Sequence, residues 1–372
     1  MTAQVFTIRH KQRELWIEPA KPDLFTLSDP QDVDPQAAFE NGPWHLYCLE
    51  PGTRRALFLD LPDDHDLSQA TFAYDMQFQK ATRALVMDFE TILDVARNRP
   101  GPAKHLLVFS TGRCGSTLFS RVLAALPGIW SLSEPDAFTN LALAKPPVPD
   151  TELVPLLRAA MALQWRPPAG QHIFAPKFRS EVFTQIPAYQ EALPGAVGCF
   201  LYRDMIGFAN SSYKLIRNLG FFTDPLPYEA ARERWQMISG TPPAALDAVL
   251  EGERKPVSPE LFVVARWLDR MAACKAAVDA GHDLHLISYA SMTTSPQAAF
   301  GPVLAACGID PALIAKASEV FSRDSQAGTD ASTRGKTEGL SADQIDALNS
   351  LYARCSPLQD IAAFLERIND RA

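Results

Sequence analysis

Apolar and polar positions follow one rhythm in the first hundred residues of this chain and another in the rest. Before residue 100, short β-like runs (Gln4–Ile8, Glu14–Ile17, His45–Leu49, Ala56–Leu61) alternate with turn signals such as Glu50-Pro51-Gly52-Thr53 and Pro62-Asp63-Asp64. A helical stretch is predicted from about Gln79 to Arg97, and Asn98-Arg99-Pro100-Gly101-Pro102 breaks it. Residues 1–100 therefore read as a small β-rich module with a connecting helix.

From His105 onward the pattern becomes strand, loop, helix, repeated to the end, so residues 101–372 read as one α/β domain. Leu106–Phe109 is a short apolar run of the kind a buried parallel strand needs. Ser116 to Leu126 is helical, with Leu118, Phe119, Val122, Leu123 and Leu126 on one face. Further strands are predicted at Ile129–Leu132, His172–Ala175, Val197–Tyr202 and Leu284–Ser288. Helices are predicted over Thr151–Leu163, Met205–Ile216, Pro259–Ala280, Pro296–Ala306 and Ala342–Tyr352. Strands alternating with helices imply a three-layer domain around a central parallel sheet, whose ligands bind beyond the C-terminal strand ends.

Composition narrows the classes. The chain has 372 residues, 47% hydrophobic and 21% charged, as an ordinary globular protein does. A formal net charge of −8 argues against nucleic-acid partners, which normally meet a basic face. The six cysteines (Cys48, Cys114, Cys199, Cys274, Cys307, Cys355) are scattered, with no CxxC pair, which suits reduced thiols better than a disulfide framework or zinc site. No HxxxH or HExxH occurs, and no metal is expected. The first residues lack an apolar signal region, and nowhere do about 18 apolar residues run together. The expected location is the cytoplasm, with no membrane span.

The most informative segment is Leu107-Val108-Phe109-Ser110-Thr111-Gly112-Arg113-Cys114-Gly115-Ser116-Thr117-Leu118. A strand enters a turn of small residues that opens directly into an amphipathic helix. Gly112 and Gly115 allow torsions and close approaches that bulkier residues forbid. The first helical N–H groups lack internal partners and point into the turn, where the Ser116 and Thr117 hydroxyls and the Arg113 guanidinium join them. The turn is built for a phosphate. It lacks the lysine of a GxxxxGK[ST] loop, which counts against a nucleoside-triphosphate kinase or ATPase.

The arrangement resembles the 5′-phosphosulfate loop of the sulfotransferases that use 3′-phosphoadenylyl sulfate (PAPS). Their loop runs Lys or Arg, a small residue, Gly and two hydroxyl residues, here Arg113, Cys114, Gly115, Ser116 and Thr117. In that family an Arg at a strand end and a Ser eight residues later hold the 3′-phosphate, which matches Arg203 and Ser211. The segment His285-Leu286-Ile287-Ser288-Tyr289 followed by a helix to Gly308 is similar to a late family segment, although Ala290 stands where an acidic residue is usual. Arg334-Gly335-Lys336 resembles the basic loop over the 3′-phosphate with its order altered, so Arg334 is the expected ligand and Lys336 its substitute. The resemblance covers roughly residues 105–365 and leaves the first hundred without a counterpart.

What the resemblance implies is sulfuryl transfer from PAPS to a hydroxyl of a small-molecule or glycan acceptor, with Arg113 and Lys177 stabilising the transferring group. The cytosolic members carry a Lys-Thr-His motif whose His is the base. This chain reads Lys177-Phe178-Arg179, so that base is absent. Other branches use a Glu at the strand end after the phosphate-loop helix, which points to Glu134, with Asp136 in reserve. An ion pair of Glu134 with Arg113 or Arg179 is the plainer reading of that carboxylate. The phosphate loop and Arg203/Ser211 are expected at opposite ends of an adenosine-sized groove. A P-loop phosphotransferase and a non-catalytic nucleotide-binding relative are the competing readings.

Overall fold

The protein's structure, a computed structural model, describes residues 3–62, 65–322 and 338–369. Two five-stranded sheets organise it. The first holds β1 (Ala3–Lys11), β2 (Phe25–Asp32), β3 (Trp44–Glu50), β4 (Arg55–Asp60) and β5 (Arg83–Asp88), in the order β2-β1-β5-β4-β3. Every neighbouring pair in it is antiparallel.

Two expectations for this region give way, and one strand is new. The stretch Gln79–Arg97 is not one helix. A helix Ala73–Lys80 ends, β5 follows, and a second helix, Phe89–Ala96, begins where the Asp88 carboxylate accepts the Thr91 N–H at 2.7 Å. Pairing with β1 on one side and β4 on the other makes β5 the central strand, and that pairing overrides the helix propensity of Ala84, Leu85 and Met87. Glu14–Ile17 is a bend and turn rather than a strand. The unforeseen β2 lies at the sheet edge, where Pro30 costs no ladder bond and Asp29 takes a positive φ of 55°.

The second sheet is parallel throughout: β6 (Lys104–Ser110), β7 (Ile129–Ser133), β8 (Ile173–Lys177), β9 (Val197–Tyr202) and β10 (His285–Ser288), in the order β10-β9-β6-β8-β7. All five strands and the six predicted helices stand within a few residues of their expected bounds. Every residue of β7 and β8 is buried, as parallel strands covered on both faces must be. β6 lies between β8 and β9, the point at which the strand order reverses and a crevice opens beyond the strand ends.

The largest apolar core runs through both sheets, joining Leu46, Phe58 and Leu85 to Phe109, Trp130 and Phe174. Trp130 stacks on Phe174 with ring centroids 5.4 Å apart. A second core lies under the helices Ser116–Ala124 and Pro296–Ala306, where Phe119 stacks on Phe300 at 4.6 Å. Truncating the fully buried Phe119 to Ala would cost about 3–5 kcal/mol. Among the described residues no helix is long and apolar enough to cross a membrane, and no group of three or more His, Cys, Asp or Glu could hold a metal.

Candidate active site

β6 ends at Ser110, and the chain turns through Thr111–Gly115 into the helix Ser116–Ala124. The turn is left-handed at Gly112 (φ 74°), Arg113 (φ 50°) and Gly115 (φ 77°). For Arg113 that conformation costs roughly 1–2 kcal/mol, strain that is typical of a residue posed for a ligand. The Thr111 N–H donates to the Leu201 carbonyl at 2.9 Å, tying the turn to β9, and the Gly112 N–H donates to Ser110 Oγ at 3.2 Å. Gly115 is required for a second reason: a Cβ there would lie 2.6 Å from Met292 Cε and 2.8 Å from Tyr289 Cδ2. Ser116 and Thr117 occupy the helix's first turn and are largely buried. Cys114 and Leu118 send their side chains toward the second core, so each offers a ligand only its backbone N–H. Burial raises the Cys114 thiol pKa, which keeps it protonated and unreactive.

Arg203 follows β9, and the helix Met205–Asn218 begins after Asp204, whose carboxylate accepts the Gly207 N–H at 2.6 Å. Two helical turns later Ser211 Oγ accepts a hydrogen bond from Arg113 Nε at 3.1 Å. The two expected phosphate cradles therefore touch, instead of standing an adenosine length apart. A ribose carrying 3′- and 5′-phosphates presents both on one sugar ring, so contiguous cradles suit it. The Arg203 guanidinium lies 4.5 Å from the centre of the Tyr289 ring, its carbonyl accepts from Trp267 Nε1 at 2.8 Å, and its buried Nε has no hydrogen-bond partner among the described residues. Burial, reinforced by the charge of Arg203, lowers the Arg113 pKa. Two guanidinium groups held this close favour an anion between them.

On the other side of β6, Lys177 closes β8 and Glu134 follows β7, the Glu134 N–H donating to the Lys177 carbonyl at 2.7 Å. Glu134 has a positive φ of 57°, the second strained side chain at the strand ends. Lys177 Nζ, wholly buried, donates to Glu134 Oε1 at 2.6 Å, while the Glu134 side chain keeps 19% of its surface exposed. The carboxylate thus pairs with Lys177 and stands 3.8 Å from Arg179; no ion pair with Arg113 forms. Asp136 is different. It is fully buried, takes the Arg179 Nε and Nη2 groups on its two oxygens, and also accepts the Ala20 N–H at 2.9 Å. A carboxylate bonded on both oxygens and without exposed surface has nowhere to meet a substrate proton. Burial opposes the Arg179 charge, yet Asp136, with Tyr74 and Glu134, outweighs it and holds the guanidinium pKa above its ordinary value. Arg179 is therefore a locked structural group.

No family model matches this chain. No curated protein matches it either. Among solved structures it is similar to a sulfotransferase domain from the curacin biosynthetic pathway, at 12% identity and a TM-score of 0.42 over 72% of this chain and 98% of that one. A sulfotransferase from Alicyclobacillus acidocaldarius gives 14% identity and a TM-score of 0.42 over 69% and 95%. Mouse sulfotransferase SULT7A1, solved with PAP, gives 13% and 0.38 over 75% and 96%. At this distance the chemistry has to be read from the chain's own residues.

Of the residues named from sequence, Gly112 to Leu118, Arg203 and Ser211 gather on one side of the β6 end, and Glu134 and Lys177 on the other. Lys177 is close enough to Cys114, and Glu134 to Arg113, for each charge to be felt across the loop. Arg334 and Lys336 lie outside the described residues. The sequence reading missed the N-terminal contributors. Phe72 turns its ring to Lys177 Nζ at 5.8 Å, and Tyr74 faces the Arg179 guanidinium at 4.1 Å. Arg179 Nη1 also donates to the Ile17 carbonyl at 2.7 Å. Contacts spanning a hundred residues leave no trace in local periodicity.

Proposed function

We propose that the protein transfers a sulfuryl group from PAPS to an acceptor hydroxyl and releases adenosine 3′,5′-bisphosphate. The observation that carries this reading is the direct contact of Arg113 with Ser211, which joins a helix-N-terminal anion cradle to a second, arginine-based one. A mononucleotide with a single phosphate group needs one cradle; a 3′,5′-bisphosphate needs two.

In this reading the N–H groups from Gly112 to Leu118, with the Ser116 and Thr117 hydroxyls, hold the 5′-phosphosulfate. Arg203 and Ser211 hold the 3′-phosphate, with Arg334 a further ligand. The acceptor oxygen attacks sulfur in line with the bond to the bridging oxygen. As that bond breaks, its electron pair stays on the departing 5′-phosphate, and Arg113 and Lys177 meet the charge that develops there. Glu134 receives the acceptor proton. The Lys177–Glu134 hydrogen bond suits both roles, because it holds the ammonium and the carboxylate side by side at the strand ends. No metal takes part, and the protein works in the cytoplasm on a small-molecule or glycan acceptor, without nucleic acid.

Calorimetric titration with adenosine 3′,5′-bisphosphate against 5′-AMP tests the two-cradle reading. We expect the bisphosphate to bind at least about tenfold more tightly, as a bidentate arginine contact to the second phosphate implies. Equal affinities would remove Arg203 and Ser211 from the site. Glu134→Gln should keep bisphosphate affinity and lose turnover by about 10²-fold or more. Mg-dependent ATP hydrolysis would instead favour the phosphotransferase reading.

A further inference from the structure

Behind the two cradles runs the helix Pro259–Asp279, and residues within one of its turns tie into both. Trp267 Nε1 donates to the Arg203 carbonyl at 2.8 Å. That carbonyl lies just before Asp204 and the helix Met205–Asn218, so the bond sets where Arg203 stands and where the helix carrying Ser211 begins. Trp267 is buried, in one core with Phe208 and Ala209 of that helix.

Arg266, with Arg270 one turn on, serves the other cradle. Both guanidinium groups donate to Glu181 Oε1, at 2.8 and 3.0 Å. Burial would raise the Glu181 pKa, but the charges of Arg270, Arg266 and Arg179 outweigh it and hold the carboxyl below its ordinary value. The same oxygen accepts the Ser180 hydroxyl at 3.1 Å. Ser180 in turn closes on the phosphate loop: a Cβ on Gly112 would lie 3.2 Å from Ser180 Oγ and 3.3 Å from Ser180 Cβ. Gly112 and Arg113 are left-handed, and a turn of that kind persists only where its surroundings hold it.

We infer that this helix sets the spacing of the two cradles, and with it the preference for a ligand bearing two phosphates. Glu181 is the positioning residue for the loop, acting through Ser180, and Trp267 is the positioning residue for Arg203. This rests on the two-cradle reading of the site and adds the residues that keep the cradles in register. The sheet does not reach that far. The pairing of β6 with β9 ends at Ser110 and Leu201, with one further bond from the Thr111 N–H, and both Gly112 and Arg203 lie beyond it. A charge-assisted bond to phosphate needs a separation of about 2.7–2.9 Å, and one sugar ring limits how far its two phosphates can adjust. Arg266 and Trp267 are adjacent on a 21-residue helix, a stiff reference from which both contacts can be held.

The test titrates the intact protein calorimetrically with adenosine 3′,5′-bisphosphate, and with 5′-AMP and 3′-AMP by displacement of the bisphosphate. Trp267→Phe keeps a buried ring and removes the N–H. It should weaken 3′-AMP about fivefold, as the loss of one hydrogen bond implies, and leave 5′-AMP within about twofold of wild type. Ser180→Ala should do the reverse, weakening 5′-AMP about threefold and sparing 3′-AMP. Glu181→Gln should weaken 5′-AMP more strongly, by about tenfold, and Ser180→Ala decides the point if that variant does not fold. The spared mononucleotide shows in each case that the variant is folded. Losses that are equal for both mononucleotides, or absent, in either Trp267→Phe or Ser180→Ala overturn the inference and leave the two-cradle reading standing. A wild type that binds the bisphosphate no more tightly than either mononucleotide overturns the two-cradle reading, and the inference with it.

Discussion

Asp136→Asn isolates the pair that fastens the N-terminal module to the site. The replacement has almost the same shape, so packing is preserved and the change is one of charge. Asp136 is completely buried, and it meets Arg179 through two hydrogen bonds and Ala20 through a third. Breaking a buried ion pair while leaving one partner charged costs about 3–5 kcal/mol. Part of that is recovered, because Glu134 Oε2 stands only 3.8 Å from Arg179 Nε and can draw in to replace the lost carboxylate. The expected net loss is then about 2–4 kcal/mol. Urea denaturation followed by tryptophan fluorescence measures it. Adding Arg179→Met to Asp136→Asn removes the stranded charge and should restore most of the loss, since taking away both partners of a buried pair is close to neutral. Bisphosphate affinity should hold throughout, because Arg113 and Ser211 lie outside the pair. A single variant within about 0.5 kcal/mol of wild type, or a double variant no more stable than the single, would show that Asp136 does not carry this charge.

Gly115→Ala puts a methyl group 2.6 Å from Met292 Cε and 2.8 Å from Tyr289 Cδ2 at a φ of 77°, so we expect a loss of about 2–3 kcal/mol in denaturation. Weaker bisphosphate binding should accompany it, because the displaced Tyr289 ring supports Arg203. Burial, with the Arg166 charge, lowers the His45 pKa to about 4, and burial alone lowers that of His105 to about 4, from 6.5. Between those values the unfolded chain binds protons that the folded one refuses, so stability should fall as pH drops from 6.5 toward 4, by up to about 3 kcal/mol per histidine. Replacing both with Gln should flatten that limb of a pH-resolved denaturation series.

The parts of this molecule that could be read from sequence are those whose causes are local. A buried parallel strand writes itself as an apolar run, and the turn from β6 into its helix is spelled by Gly112, Gly115 and the hydroxyls between and after them. The eight-residue step from Arg203 to Ser211 was picked out by the family resemblance, and in the structure the start of one helix spans it. β5 was not, because Ala84, Leu85 and Met87 suit a helix and become a strand only when β1 and β4 close on both sides. β2 hid behind Asp29-Pro30, an edge-tolerated pair that reads as a turn. At the site, Glu134 could be named but its partner could not. The choice between Lys177, Arg113 and Arg179 depends on how β7 and β8 lie side by side, and the silencing of Asp136 depends on Ala20, more than a hundred residues away.

The placement of β6 between β8 and β9 has a consequence for how the site can assemble. Arg113, Glu134, Lys177 and Arg203 reach one another only when four separate stretches of chain have been laid edge to edge. A chain halted before residue 197 owns the loop, the carboxylate and the lysine but lacks the strand that brings the second arginine. Closing such distant pairings is slow, since loop entropy must be spent before contacts repay it. Binding of adenosine 3′,5′-bisphosphate should therefore appear later than secondary structure during refolding, and fragments ending before β9 should not bind it.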